Sequence, residues 1–282
     1  MTVTAATRFV HEPIKPGIGS RILNTKEELL AGELGPQIRA LLEERGVLVF
    51  PKIDFTDPEQ VAFTKTLGTF APEMSDAGEE KTHQITLDEK KNPGTAAYLK
   101  GSLYWHIDGT MNDTPILASL LSCKQTATWG GNTGFANTYS AWEALPAERK
   151  AEIDDLRVRH GAWASLFYYE PEPSFEMLTR MQGIGDVELP LVWKHKSGRN
   201  SLVLGNTAHT VVGKDAMQSA AILHGLREWA TGADFTLSHE WSIGDLVIWD
   251  NTGTMHRAEQ YDHTCDRMMH RTKLQGEEPW EA

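Results

Sequence analysis

Two short segments far apart in the chain constrain its fold most. They are Trp105-His106-Ile107-Asp108-Gly109 and the run from Trp249-Asp250-Asn251 to Met255-His256-Arg257-Ala258. Side chains alternate faces along a strand, so His106 and Asp108 would share one side, roughly 7 Å apart along the backbone. An imidazole nitrogen and a carboxylate oxygen so placed can converge on one ion. A third donor is needed, and among 11 histidines His256 is the candidate, because it follows an apolar strand and a glycine-containing turn. Two imidazoles and one carboxylate leave three coordination positions open, which suits iron(II) and oxygen chemistry. Zinc more often takes a tetrahedral site richer in nitrogen or sulfur. His-x-Asp by itself also occurs by chance, as polar groups facing solvent or as a structural hydrogen bond, so the rest of the constellation has to carry the reading. If 106–108 and 256 meet, the two ends of the chain fold together, and residues 1–282 form one domain.

The hydrophobic pattern predicts an α+β chain that is mainly β at its core. Residues 26–45 carry apolar positions at helical spacing and stop at Gly46, predicting one helix. Gly46-Val-Leu-Val-Phe-Pro51 reads as a buried strand closed by proline, and Thr56-Asp57-Pro58-Glu59 opens a capped helix. Strand signals follow over 96–108, 116–124, 133–137, 202–205, 246–249 and 267–274. Ser140-Ala-Trp-Glu143 is a capping box for a helix to about Leu156, and 215–229 reads as a long helix ending near Gly232. Helices at the ends and between strands, without βαβ alternation, argue against a doubly wound sheet. They suit a β-sandwich or jelly roll decorated by helices.

The net charge of -12, from 27 basic and 39 acidic residues, argues against a non-specific nucleic-acid binder. No stretch approaches the ~20 apolar residues that cross a bilayer, and the N-terminus lacks the pattern of a secretory signal. Cys123 and Cys265 cannot build a disulfide framework and read as reduced thiols of a cytoplasmic protein. A homo-oligomer without nucleic-acid or membrane partners is expected.

Arg267-Met-Met-His-Arg271-Thr-Lys273 reads as a strand with Arg267, Met269 and Arg271 on one face, the arginines about 13 Å apart. Two arginines facing an apolar interior are costly unless each meets an anion, and a guanidinium fork matches a carboxylate bidentately. The alternative is an exposed edge strand. Gly130-Gly131-Asn132-Thr133-Gly134 is a glycine-rich turn entering a strand. It is no phosphate loop, since no Gly-Lys-Ser/Thr follows, but Thr133 could donate its hydroxyl to a bound carboxylate.

Together these blocks resemble the taurine/2,4-dichlorophenoxyacetate dioxygenase family of 2-oxoglutarate enzymes. The match runs in order through His106-Ile107-Asp108, the Gly-Gly-Asn-Thr-Gly turn, Trp249 to Ala258, and Arg267 with Arg271. The resemblance implies a double-stranded β-helix (jelly roll) and Fe(II) held by His106, Asp108 and His256. It implies 2-oxoglutarate as cosubstrate, with Thr133 and Arg267 on its distal carboxylate, and O2 as oxidant. Arg271 is then the residue turned toward an anionic group of a small-molecule substrate. The family turn usually carries Asp where Asn132 stands. Ser102 replaces an asparagine of the taurine enzyme, and its histidine shortly after Leu67-Gly68 has no counterpart, since Phe70-Ala71-Pro72 follows, so both departures argue against taurine.

The implied reaction is hydroxylation of a small anionic substrate, with release of succinate and CO2. Cleavage follows where the oxidised carbon bears oxygen, nitrogen or sulfur. Asp108 argues against a halogenase, in which a small residue replaces the carboxylate; desaturation would use the same residues. Further substrate contacts are expected from Tyr98, Ser102 and Gly109 beside the metal segment and from Phe167 in the aromatic run Ala162 to Tyr169. A non-catalytic sensor would be expected to lose a ligand or an anchor, and a zinc hydrolase would not account for the arginines.

Overall fold

The computed structural model describes residues 7–73, 78–88, 90 and 99–280. Fifteen strands are present among them. The first five are β1 (His11–Pro13), β2 (Ser20–Ile22), β3 (Val47–Phe50), β4 (His83–Ile85) and β5 (Ala118–Gln125). Next come β6 (Thr133–Asn137), β7 (Arg157–Gly161), β8 (Asp186–Pro190), β9 (Val192–Lys194) and β10 (Asn200–Leu202). The last are β11 (Ala208–Val211), β12 (Thr236–His239), β13 (Leu246–Asp250), β14 (Thr254–Ala258) and β15 (Met268–Leu274).

A seven-stranded sheet in the order β1-β2-β3-β13-β5-β15-β4 faces a three-stranded sheet in the order β12-β6-β14. The side-chain alternation of β3, β5 and β13 divides two cores. Val47, Val49, Leu121, Cys123, Val247 and Trp249 point inward with Phe135 of the small sheet. Leu48, Phe50, Leu120, Leu246 and Ile248 point outward. The outward set is covered by Ile38 of the helix Gly35–Arg45 and Phe63 of the helix Asp57–Leu67. A third core lies behind the small sheet, where Ala136 and Met255 meet Trp193, Leu202, Leu223 and Leu226. The ribbons β11-β7-β8 and β9-β10 and the helix Ala216–Ala230 build that layer.

The capped helix at Thr56 forms as expected, with Thr56 and Glu59 closing a capping box and Pro58 in the first turn. The helix Ala216–Ala230 likewise starts on an Asp215 capping box. Other expectations are corrected. Residues 26–45 form two helices, Lys26–Leu30 and Gly35–Arg45, because Gly32 takes φ +81 and Pro36 restarts the turn. The stretch from Ser140 also divides, into Thr138–Glu143 and Ala147–Ile153, with Pro146 between. Its cap is Asn137, whose side chain accepts from Tyr139 and Ser140 N–H, while the Ser140 hydroxyl is used on Gly17 O. The strand expected at 202–205 ends at Leu202.

The strand expected over 96–108 is not a strand in its described part. Residues Lys100–Leu103 form a 3-10 turn, His106 makes an isolated bridge, and Asp108 enters a turn. No helix among the described residues is long and apolar enough to cross a membrane.

Candidate active site

The bridge between His106 and His256 brings the two distant segments together. Each residue's N–H donates to the other's carbonyl, at 3.0 and 2.9 Å. The two imidazoles then lie 4.1 Å apart between centroids. Gly109 turns the chain just after Asp108, with φ +86; a Cβ there would meet the Ile116 amide nitrogen at 2.9 Å. This turn, rather than strand alternation, swings the carboxylate between the rings. Asp108 Oδ1 is 3.8 Å from His106 Nε2, and Oδ2 is 3.8 Å from His256 Nε2. One donor atom from each of the three lies within 4.8 Å of the others, so the set can close around one ion.

The protonation states fit such an ion. His106 Nδ1 lies 2.8 Å from Tyr104 O, which places the proton on Nδ1 and the lone pair on Nε2. Burial and the neighbouring His106 push the His256 imidazole well below its ordinary pKa, against the pull of Asp108. Burial alone would raise the Asp108 carboxyl, but His256, Arg271 and His106 beside it, with the Ser119 hydroxyl, hold it well below the usual carboxylate range. A carboxylate and lone-pair-bearing imidazoles are the forms that bind a cation.

On β15, Met269 and Arg271 face the interior and Arg267 precedes the strand on the same side; a bulge follows Met268. Arg267 is 5% exposed, lies over the Tyr261 ring at 4.7 Å and donates to Gly131 O at 3.2 Å. Among the described residues no carboxylate pairs with it. The glycine pair of the turn makes the room: a Cβ on Gly131 would meet Arg267 Nε at 3.1 Å, and one on Gly130 would meet Gln260 O at 2.1 Å. A cavity of about 400 Å³ lined by Cys123, Gly131, Trp241, Arg267 and Met269 opens here. Thr133 is buried, and its Oγ1 accepts from Trp241 Nε1 at 3.0 Å, leaving its own hydrogen for another acceptor. Burial pushes the Cys123 thiol up to about 11, so it is a neutral packing group.

Arg271 reaches the triad, with Nη1 3.6 Å from Asp108 Oδ2. Its other edge is taken by Glu73, whose Oε1 accepts from Nε at 3.1 Å and Nη2 at 2.7 Å. Lys273 Nζ donates to Glu73 Oε2 at 2.7 Å. Burial would raise the Glu73 carboxyl, but Arg271 and Lys273 bring it below its ordinary value. Lys273 was legible as a third cation on that strand face, two residues beyond Arg271; nothing in the sequence pattern signals Glu73.

The expected substrate contacts divide. Phe167 is 42% exposed and lines a cavity of about 240 Å³ with Trp163, Tyr168, Gly205, His209 and Arg227. That cavity abuts the metal segment, since a Cβ on Gly205 would lie 3.1 Å from His106 Cα, and the Tyr104 and Tyr168 rings are 5.2 Å apart. Ser102 spends its hydroxyl on Leu99 O at 2.6 Å, and Gly109 serves the turn described above. Tyr98 lies outside the described residues.

The sequence matches the family described as taurine catabolism dioxygenase TauD, TfdA family, over residues 11–273. This chain belongs to that family. It is 30% identical over 249 residues to the (S)-phenoxypropionate/alpha-ketoglutarate-dioxygenase of Sphingobium herbicidovorans, covering 85% of each chain. It is 28% identical over 278 residues to the alpha-ketoglutarate-dependent 2,4-dichlorophenoxyacetate dioxygenase of Cupriavidus pinatubonensis, covering 93% of this chain and 96% of the relative. The fold is similar to the crystal structure of AAD-2 in complex with Mn(II) and N-oxalylglycine, with TM-score 0.81, 27% identity, and 98% and 100% of the two chains covered. The TauD/TfdA chain is thus a 2-oxoglutarate-dependent dioxygenase on a jelly-roll core, as its sequence resemblance implies.

Proposed function

We propose that this dioxygenase holds Fe(II) through His106, Asp108 and His256 and binds the distal carboxylate of 2-oxoglutarate at Thr133 and Arg267. Its substrate is a small monoanion seated against Arg271. The observation that carries the reading is Arg267, a nearly fully buried guanidinium with no carboxylate partner among the described residues, on the strand face that also reaches the triad. An uncompensated buried charge costs on the order of several kcal/mol, which a cosubstrate carboxylate offsets. When bound, the metal supplies dioxygen activation coupled to decarboxylation of 2-oxoglutarate to succinate and CO2, with hydroxylation of a substrate carbon.

The chain's own residues do the rest. Gly130 and Gly131 shape the seat beside Arg267, and Thr133 has a hydroxyl hydrogen to give to a carboxylate oxygen. The Met269 side chain and the Trp241 ring line that cavity. Charge favours an anion: Arg271, braced by Glu73 on its Nε/Nη2 edge and with Nη1 3.6 Å from Asp108 Oδ2, is a cation that a substrate carboxylate can approach beside the triad. Phenoxypropionate and 2,4-dichlorophenoxyacetate, after which the two relatives are named, are aryloxy carboxylates. A carboxylate with an apolar or aromatic body, lying toward Phe167 and Tyr168, is therefore the substrate class. Where the hydroxylated carbon bears an ether oxygen, the product collapses to an alcohol or phenol and a carbonyl compound.

The reading also takes residues 1–282 as one catalytic domain of a cytoplasmic homo-oligomer. Its supports are the two free cysteines and the exposed apolar side chains of Phe175, Ile184 and Met217. Oxygen uptake by Fe(II)-loaded protein with 2-oxoglutarate, across aryloxy carboxylates, alkyl sulfates, dicarboxylates and amines, tests it. Monoanionic carboxylates should stimulate uptake most. Stimulation confined to dianions or to amines contradicts the assignment.

A further inference from the structure

We propose that Trp249, Asn251 and Ser119 form a one-way hydrogen-bond relay that occupies Asp108 Oδ2 and leaves Oδ1 to face the metal. They are positioning residues of the centre, and the inference rests on the metal assignment above. Trp249 Nε1 donates to Asn251 Oδ1 at 3.0 Å, Asn251 Nδ2 donates to Ser119 Oγ at 3.1 Å, and Ser119 Oγ donates to Asp108 Oδ2 at 3.2 Å. Each link fixes the next. An indole N–H can only donate, so the Asn251 amide turns its oxygen to Trp249. The amide nitrogen can only donate, so the Ser119 hydroxyl sends its hydrogen on to the carboxylate.

Reversal at any point would strand a buried donor, and solvent does not compete: Ser119 and Asn251 are 0% exposed and Trp249 2%. The backbone sets the spacing, because Trp249 and Ser119 are register partners on the adjacent strands β13 and β5. At the far end Asp108 Oδ2 also meets Arg271 Nη1 at 3.6 Å. Oδ1 accepts no hydrogen bond among the described residues. The Trp249 ring also lies against His256, with centroids 4.7 Å apart, so one side chain steadies two of the three donors. The relay thus gives a role to the Trp249 and Asn251 of the sequence motif and to Ser119, which no motif includes.

Mn(II) and Co(II) titrations of the full-length protein, read by the Mn(II) electron paramagnetic signal and Co(II) d–d absorption, test this alongside the melting temperature of the metal-free form. Ser119→Ala should weaken Mn(II) binding roughly 10- to 100-fold with little change in the metal-free melting temperature. Trp249→Phe keeps an aromatic ring for His256 but removes the N–H, and should weaken binding in the same direction. Asn251→Asp, which cannot donate to Ser119, provides the measurement if Ser119→Ala does not fold. The Ser119→Ala/Trp249→Phe double variant should lose no more affinity than Ser119→Ala alone, because a relay cut at its last link is blind to its first. Additive losses, or a melting temperature that falls while Mn(II) affinity holds, overturn the relay and leave the metal assignment standing. Wild-type protein that binds neither ion overturns both.

Discussion

The two walls of the space around His106 are built differently. One consists of the triad and the face carrying Arg267, Arg271 and Lys273; His256 lies on β14, paired with β6, and Arg271 and Lys273 lie on β15, paired with β4 and β5. His256, Arg267 and Lys273 are buried, His106, Asp108 and Arg271 are partly so, and directional bonds orient His106, Arg267, Arg271 and Lys273. The other wall consists of the 3-10 turn Lys100–Leu103 and the short helix Ala162–Tyr169, with Gly205 against His106 and the Tyr104 and Tyr168 rings in contact. There Phe167 stays 42% exposed. A fixed oxidant wall and a looser aromatic wall allow one chemistry to be kept while the substrate body is chosen separately.

Substitutions on the two walls should therefore differ in size and kind. Asp108→Ala or His256→Ala should have the largest effect, removing Mn(II) or Co(II) binding by more than the ~100-fold that follows loss of a supporting hydrogen bond. Retained affinity, read by equilibrium dialysis, would break the comparison at its strongest point. Next, Arg267→Ala should raise the KM for 2-oxoglutarate about 10- to 100-fold, the worth of charge-assisted hydrogen bonds of ~1.5–3 kcal/mol, with metal affinity unchanged. An unchanged requirement refutes the assigned role.

Glu73→Gln should act more moderately, by about tenfold, moving substrate preference from monoanions toward dianions in the oxygen-uptake panel. It carries a pH signature as well. The Glu73 carboxyl is lowered in the folded protein, so its ion pairs contribute stability that is complete above the ordinary glutamate pKa. That contribution is lost as pH falls through the lowered folded value. The melting-temperature gap between wild type and Glu73→Gln should accordingly narrow on acidification, and a gap independent of pH would contradict the pairing. The smallest effect should come from Phe167→Ala on the looser wall: a few-fold change in substrate KM, with 2-oxoglutarate KM and metal affinity unmoved. A loss as large as that of Arg267→Ala would erase the distinction between the walls.

What could be read from the sequence follows the same division. Short strand signals found β6 and β13, which are buried throughout, and two-residue spacing found the face of Arg267, Met269 and Arg271, because these patterns are dictated locally. The pairing of His106 and Asp108 was legible, but its cause was not. A single bridge to His256 and the left-handed turn at Gly109 place them, and both depend on contacts distant in sequence. Gly32 and Pro146 break helices that apolar spacing alone would continue. Glu73, Ser119 and Trp241 carried no signal, since each matters through one partner that only the folded chain supplies.

The most direct test of the central claim is succinate formation. Fe(II)-loaded protein given 2-oxoglutarate, oxygen and a stimulating monoanionic carboxylate should yield one succinate per oxidised substrate, and Asp108→Ala should yield none. Absence of succinate from the wild type, with zinc as the metal that copurifies, would contradict the account.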